Sequence, residues 1–360
     1  MSTTDNKYTD KRHKIAKDPK KKQRNKFILF GILTISFIFL IILGTGYVMR
    51  YVIPQGKTVV EVGEIKYNRS DMLKMLRVKQ KNSEMIGSQM KNSEEIFKAL
   101  QNMIENEIMD QIAPSLGIII PPEQIEIYIR DVFMPSYNNE ESPDPVQIER
   151  EFKEIFSNYL TSVGLSEEEY KKFTRWSMLR EQMRQYVGET VPTVAEQVYL
   201  HRIMILPDDE IDIMKKKYED GTPFKYIVRE FSKDNEEVIR RGGEIGWIPR
   251  GIFPEYDYII FDLEPNLLSI EAQSIESPPL LYFFMISGKD PARPIAQEVL
   301  DQLKTKALKD WLNTKRKEFN VSANFNSEVH GWLTKQLSVS TLKKPEKEKK
   351  SRLQELGILQ

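Results

Sequence analysis

The chain of 360 residues sets 53 Lys and Arg against 53 Asp and Glu, and 40% of it is hydrophobic. That length fits two or three domains with a real buried core. With no cysteine and only His13, His201 and His330, disulfides, zinc–thiolate sites, a cysteine nucleophile and a histidine-rich metal centre are excluded, and neither metal nor cofactor is expected.

The zero net charge hides an asymmetry: residues 1–26 hold ten Lys and Arg and three Asp. Such a block is either a nucleic-acid tail or a topological signal. It abuts the uncharged, mainly apolar run Phe27–Met49, which as a helix would cover the ~30 Å of a bilayer core. No small-x-small cleavage site follows the run. The expectation is an uncleaved signal-anchor, a transmembrane helix over 27–49 in the lipid bilayer. By the positive-inside rule the tail 1–26 is then cytoplasmic, the rest of the chain extracytoplasmic, and no nucleic acid is bound.

Residues 50–195 read as a mainly helical domain. A short strand at Thr58–Val62 precedes Gly63, and Asn68 or Ser70 caps a helix with Met72, Met75 and Leu76 on one face. From Ser93 the residues Ile96, Phe97, Leu100, Met103, Ile104, Ile108 and Ile112 keep the i, i+3, i+4 rhythm of a longer helix, with Gly117 at its end. Gln124–Phe133 is a third helix. A polar, proline-broken loop at 138–145 leads to a fourth, marked by Ile148, Phe152, Ile155, Phe156 and Leu160 and closed by Gly164. Ser166 and Glu169 have the capping-box spacing for a fifth, ending near Val187. The methionines Met72, Met75, Met85, Met90, Met103 and Met109 are either core or an adaptable groove for apolar clients.

Residues 196–292 change character. Val198–Leu206 is an apolar, β-branched strand. Two helices follow, the second at Pro223–Phe231, and then the stretch Gly242–Tyr256, GGEIGWIPRGIFPEY. Its paired glycines suit a tight turn with φ > 0. Pro254 suits the first turn of a helix carrying Tyr256, Ile259, Ile260 and Leu263. A closing strand spans Leu280–Ile286, with Ser287-Gly288 ending it. This order, with "DGTPFKYIVREFSKD", "GGEIGW" and "RGIFPEYDYIIFDLEP", resembles the parvulin peptidyl-prolyl cis–trans isomerases. Val62–Leu76 is similar to the start of the chaperone domain in SurA/PrsA-like extracytoplasmic foldases, in which an isomerase domain is inserted before a final long helix. Residues 293–323 supply that helix, with Val299, Leu303, Leu308, Trp311 and Leu312 along its inner face. The implied fold class is α+β, a helical chaperone domain with an inserted βαααβαββ-like domain, and 324–360 reads as a charged, disordered tail.

The resemblance also implies a site. Rotating an X–Pro amide means crossing a barrier of ~18–20 kcal/mol without covalent chemistry, so the enzyme must bind the twisted state better than the planar ones. By motif, Ile245, Ile252 and Tyr256 would grip the proline ring, Asp234 would line a polar wall, and Gly242 and Gly243 would make the supporting turn. The family's two histidines are not matched in place. Its His-Ile-Leu-Val falls on Arg202-Ile203-Met204-Ile205, leaving His201 one position early and facing away unless a bulge restores it. Phe283 stands where the second histidine would be. The implied partners are unfolded or newly exported polypeptides with X–Pro bonds. Three functions remain open: a foldase with isomerase activity, a degenerate parvulin that only holds clients, and a single-span scaffold.

Overall fold

The computed structural model describes residues 36–45, 53–134, 144–207, 211–274 and 279–342. Of the apolar run at 27–49, residues 36–45 form helix α1. Among the described residues no helix is long and apolar enough to cross a membrane. This corrects the expected transmembrane helix over 27–49, of which 27–35 and 46–49 lie outside the described residues. The basic block 1–26 lies outside the described residues.

Contacts between the described residues divide them into two compact units, one holding 53–60, 66–73 and 323–342, the other 61–65 and the described residues of 74–322. After the single turn α2 (Ile53–Gly56) come strands β1 (Thr58–Val62) and β2 (Ile65–Asn68). Helix α3 (Arg69–Met85) follows. Asn68 and Asp71 cap its start reciprocally, each backbone N–H donating to the other's side chain at 2.8 and 3.0 Å. In the first unit the buried Arg69 donates to Glu328 at 3.0 Å, and the Asn324 N–H donates to the Val59 carbonyl at 2.8 Å.

The second unit holds the helical layer and the sheet. Helices α4 (Asn92–Ile112), α5 (Pro122–Phe133), α6 (Pro145–Val163) and α7 (Glu167–Gly188) lie where the periodicity places them. Ile96, Met103, Ile104, Ile108 and Met109 of α4 are fully buried, as are Leu179 and Met183 of α7, whereas Phe97 is exposed. The methionines divide: Met72, Met103 and Met109 are core, while Met85 is exposed. Gly164 closes α6 at φ +70 and Ser166 with Glu169 forms the capping box of α7. A satellite cluster of rings joins Phe133, Phe156, Tyr159 and Tyr170 at centroid distances of 4.9–5.7 Å. Burial there pushes the Tyr170 phenol up to about 12.

Strand β3 (Val194–Ile205) opens the region of 196–292. Helices α8 (Ile211–Glu219), α9 (Phe224–Phe231) and α10 (Glu236–Arg240) lead to β4 (Glu244–Pro249). The expected helix after Pro254 is one turn, α11 (Asp257–Ile260), and β5 (Ala272–Gln273) and β6 (Leu281–Pro294) complete the set. The strands form an antiparallel sheet in the order β4-β3-β6-β5. Ser287-Gly288 does not end β6, because β3 begins early enough to pair with it as far as Pro294.

Helix α12 (Gln297–Arg316) buries Leu300, Leu308 and Leu312. It meets α7 through Arg184–Asp301 at 3.1 Å and Lys304–Gln185 at 3.1 Å. Past strand β7 (Val321–Ala323), the expected tail is in part a helix, α13 (Ser327–Leu342). Val329, Leu333 and Leu337 recur every four residues and are buried, so this segment has the apolar stripe a solvated tail lacks. Residues 343–360 lie outside the described residues.

Candidate functional site on the sheet

The two faces of the sheet have separate cores. Side chains alternate along a strand, so Ile203 and Ile205 of β3 join Phe283 and Met285 of β6 against α8 and α9. Val198 and Leu200 join Phe284 and Ile286 on the other face, together with Ile248, Ile259, Ile260 and Phe261. Ile245, Ile252, Phe253, Tyr256 and Tyr282 pack against that second core while staying half-buried. A surface of apolar side chains is therefore left open to solvent on one face.

Arg202 supplies its charge. Its Nε and Nη2 donate to the two carboxylate oxygens of Asp234 at 2.7 and 3.0 Å, and the side chains keep only 19% and 5% of their exposure. Asp234 is filled further by the N–H of Asn235 at 2.8 Å and by its side-chain amide at 3.3 Å. A carboxylate held in four bonds, three of them on Oδ1, anchors the guanidinium in a fixed orientation. The guanidinium carbon sits 5.6 Å from the Tyr282 ring and 5.8 Å from the Phe253 ring, within cation–π range. Tyr256 continues the aromatic wall, 5.7 Å from Tyr282 and 5.3 Å from Phe284.

Gly242 and Gly243 hold φ values of +69 and +85, where an L side chain is strained. The Gly243 carbonyl accepts the Arg202 N–H at 2.8 Å, and a Cβ on Gly243 would lie 2.6 Å from the Arg202 carbonyl oxygen. Gly243→Ala is expected to lower stability by at least about 1–3 kcal/mol from the backbone conformation alone. Chemical denaturation checks this; an unchanged midpoint would mean that the turn relaxes freely.

Two irregularities settle where His201 points. Between Leu200 and His201 the pairing with β4 skips Ile245, and between Tyr199 and Leu200 the pairing with β6 skips Ser287. Each bulge puts its extra residue on the neighbouring strand, so the alternation of β3 runs on undisturbed. His201 accordingly lies with the helix-side residues, its ring 6.3 Å from Phe224 and its Nε2 3.0 Å from the Ser287 hydroxyl. Burial pulls its pKa down, with Glu244 opposing. The bulge near His201 serves Ile245 instead, freeing it to pack on the face of Arg202.

The structure thus brings Arg202, Asp234, Ile245, Ile252 and Tyr256 to one face and leaves His201 and Phe283 on the other. Phe283 is opposite Ile203, whereas the residue opposite Arg202 is Phe284. The motif alignment therefore does not mark the β6 position facing the site: Tyr282 and Phe284 hold that face. Phe253, Tyr282 and Phe284 were not anticipated as site residues. Their signal was the period-2 pattern of β6, readable only once the register to Arg202 is known.

The family model described as the SurA-like N-terminal domain matches residues 19–184. No curated protein matches the chain. Among solved structures it is similar to the peptidylprolyl isomerase PrsA of Bacillus anthracis, at 16% identity over 69% of this chain and 99% of that one, with a TM-score of 0.38. The foldase PrsA of Streptococcus pneumoniae gives 17% identity over 69% and 86%, with a TM-score of 0.33. One of the SurA-like chaperones of Campylobacter jejuni gives 14% over 59% and 90%, with a TM-score of 0.25. The match over residues 19–184 bears out, for that part of the chain, the resemblance to SurA-like proteins read from its sequence.

Proposed function

We propose that the chain is a chaperone of unfolded polypeptides whose four-stranded sheet seats the proline of an X–Pro bond and assists its isomerisation. One observation carries the reading: the Arg202 guanidinium, fixed by Asp234, stands over a half-buried wall of Tyr282 and Phe253 rings. Ile245, Ile252 and Tyr256 border the same face. Such a surface offers an apolar seat for a pyrrolidine ring and a fixed positive charge beside it. As the amide twists it loses resonance, and a preorganised donor near the carbonyl lowers the barrier to the extent that it favours the twisted form.

A second reading, a client-holding module without catalysis, is favoured by the position of His201 on the helix side of the sheet. A proline-limited peptide isomerisation assay with the full chain separates the two. The proposal expects measurable turnover that Tyr256→Ala removes and His201→Ala leaves nearly intact. Losing a contribution of about 2–3 kcal/mol would slow the reaction roughly 30- to 150-fold. Peptide binding with no turnover would leave the holding module, and loss of turnover in a folded His201→Ala protein would show that the reacting face is misassigned.

A further inference from the structure

Asp257 opens α11 immediately after Tyr256. Its Oδ2 accepts the N–H of Gly251 at 2.7 Å, closing the loop that carries Ile252, Phe253 and Tyr256. Gly251 turns the chain there at φ +94. The second oxygen, Oδ1, is buried and has no hydrogen-bond partner. Burial raises the carboxyl above its usual range and Glu255 adds to the rise, while the Gly251 N–H, Arg250 and Lys306 oppose it. The two nearby cations are engaged elsewhere, Arg250 with Glu196 at 3.1 Å and Lys306 with Asp310 at 2.7 Å. An acid partly withdrawn from water with no cation of its own is unfavourable. Its one backbone bond, to Gly251, is what it does for the fold.

We infer that Asp257 is a positioning residue, whose bond to Gly251 clasps the loop and sets Ile252, Phe253 and Tyr256 against the sheet for a proline-containing peptide. The peptide half of this inference rests on the proposed function; the clasp does not. A loop ordered in advance need not be ordered by its ligand, so the clasp favours binding without touching the peptide. Glu255, the neighbouring acid, is exposed and makes no equivalent bond among the described residues.

The test uses the full chain as wild type, Asp257→Ala and Asp257→Asn. Amide hydrogen exchange at Gly251 is read beside the dissociation constant of an Ala-Ala-Pro-Phe peptide, with circular dichroism to confirm folding. Asp257→Asn keeps an oxygen acceptor, so its Gly251 protection and affinity should stay within about twofold of wild type. Asp257→Ala should speed Gly251 exchange and weaken the peptide roughly tenfold, the scale of one lost charge-assisted bond. Unchanged exchange in Asp257→Ala would overturn the clasp, and lost protection with unchanged affinity would overturn the positioning role. A wild-type chain that does not bind the peptide would overturn that role too. Gly251 exchange then tells the failures apart, since protection lost only in Asp257→Ala leaves the clasp standing and the face misread.

Discussion

Arg202→Met is expected to destabilise the sheet region by about 3–5 kcal/mol, the cost of removing one partner from a buried ion pair. Asp234 keeps only 5% of its side-chain exposure and receives two of its bonds from Arg202. Methionine fills the space of the stem but leaves the carboxylate facing an apolar group. The double change Arg202→Met with Asp234→Leu should recover much of the loss, because the penalty lies in the orphaned charge. Neither variant should catalyse isomerisation, since both lack the cation beside Tyr282 and Phe253. Denaturation of the single and double variants checks the stability claim; equal losses in both would mean that the region needs the pair itself.

Phe283→His is expected to cost about 2–4 kcal/mol and to add no isomerase activity. The substitution places a histidine where the motif alignment asks for one, yet Phe283 is fully buried in the helix-side core with Ile203, Met214 and Phe224. An imidazole there loses aromatic packing and leaves ring nitrogens without partners. Protonation would worsen the fit, so the deficit should deepen as pH falls through the range near 6.5 where histidine gains charge. Thermal melts and the peptide assay at pH 5.5 and 8 read both effects. A gain in turnover would mean that β6 presents Phe283 to the Arg202 face in solution.

The helices were legible because their signals are local. Ile96, Met103, Ile104 and Ile108 announce α4 by spacing alone, and Ser166 with Glu169 announces the start of α7. The Gly242-Gly243 turn was legible for the same reason, since only glycine takes both positive φ values without strain. Pairing is not local. No window of β6 says whether Phe283 or Phe284 faces Arg202, and a slip of one residue exchanges the two faces. His201 was readable as turned away from strand parity, but the bulge that releases Ile245 lies in the partner strand and was not. The apolar run at 27–49 has the composition of a membrane helix, yet among the described residues no helix is long and apolar enough to cross a membrane. The stripe Val329, Leu333 and Leu337 was present in the sequence and was eclipsed by the charged residues that follow it.

The central claim is that the Arg202 face of the sheet receives the proline. Two-dimensional NMR of the full chain titrated with an Ala-Ala-Pro-Phe peptide tests it most directly. The account predicts shift changes concentrated at Ile245, Ile252, Tyr256 and Tyr282, with His201 and Phe224 across the sheet unmoved. Changes centred on His201 and Phe224, or confined to the helices α4 to α7 with the sheet silent, would contradict it.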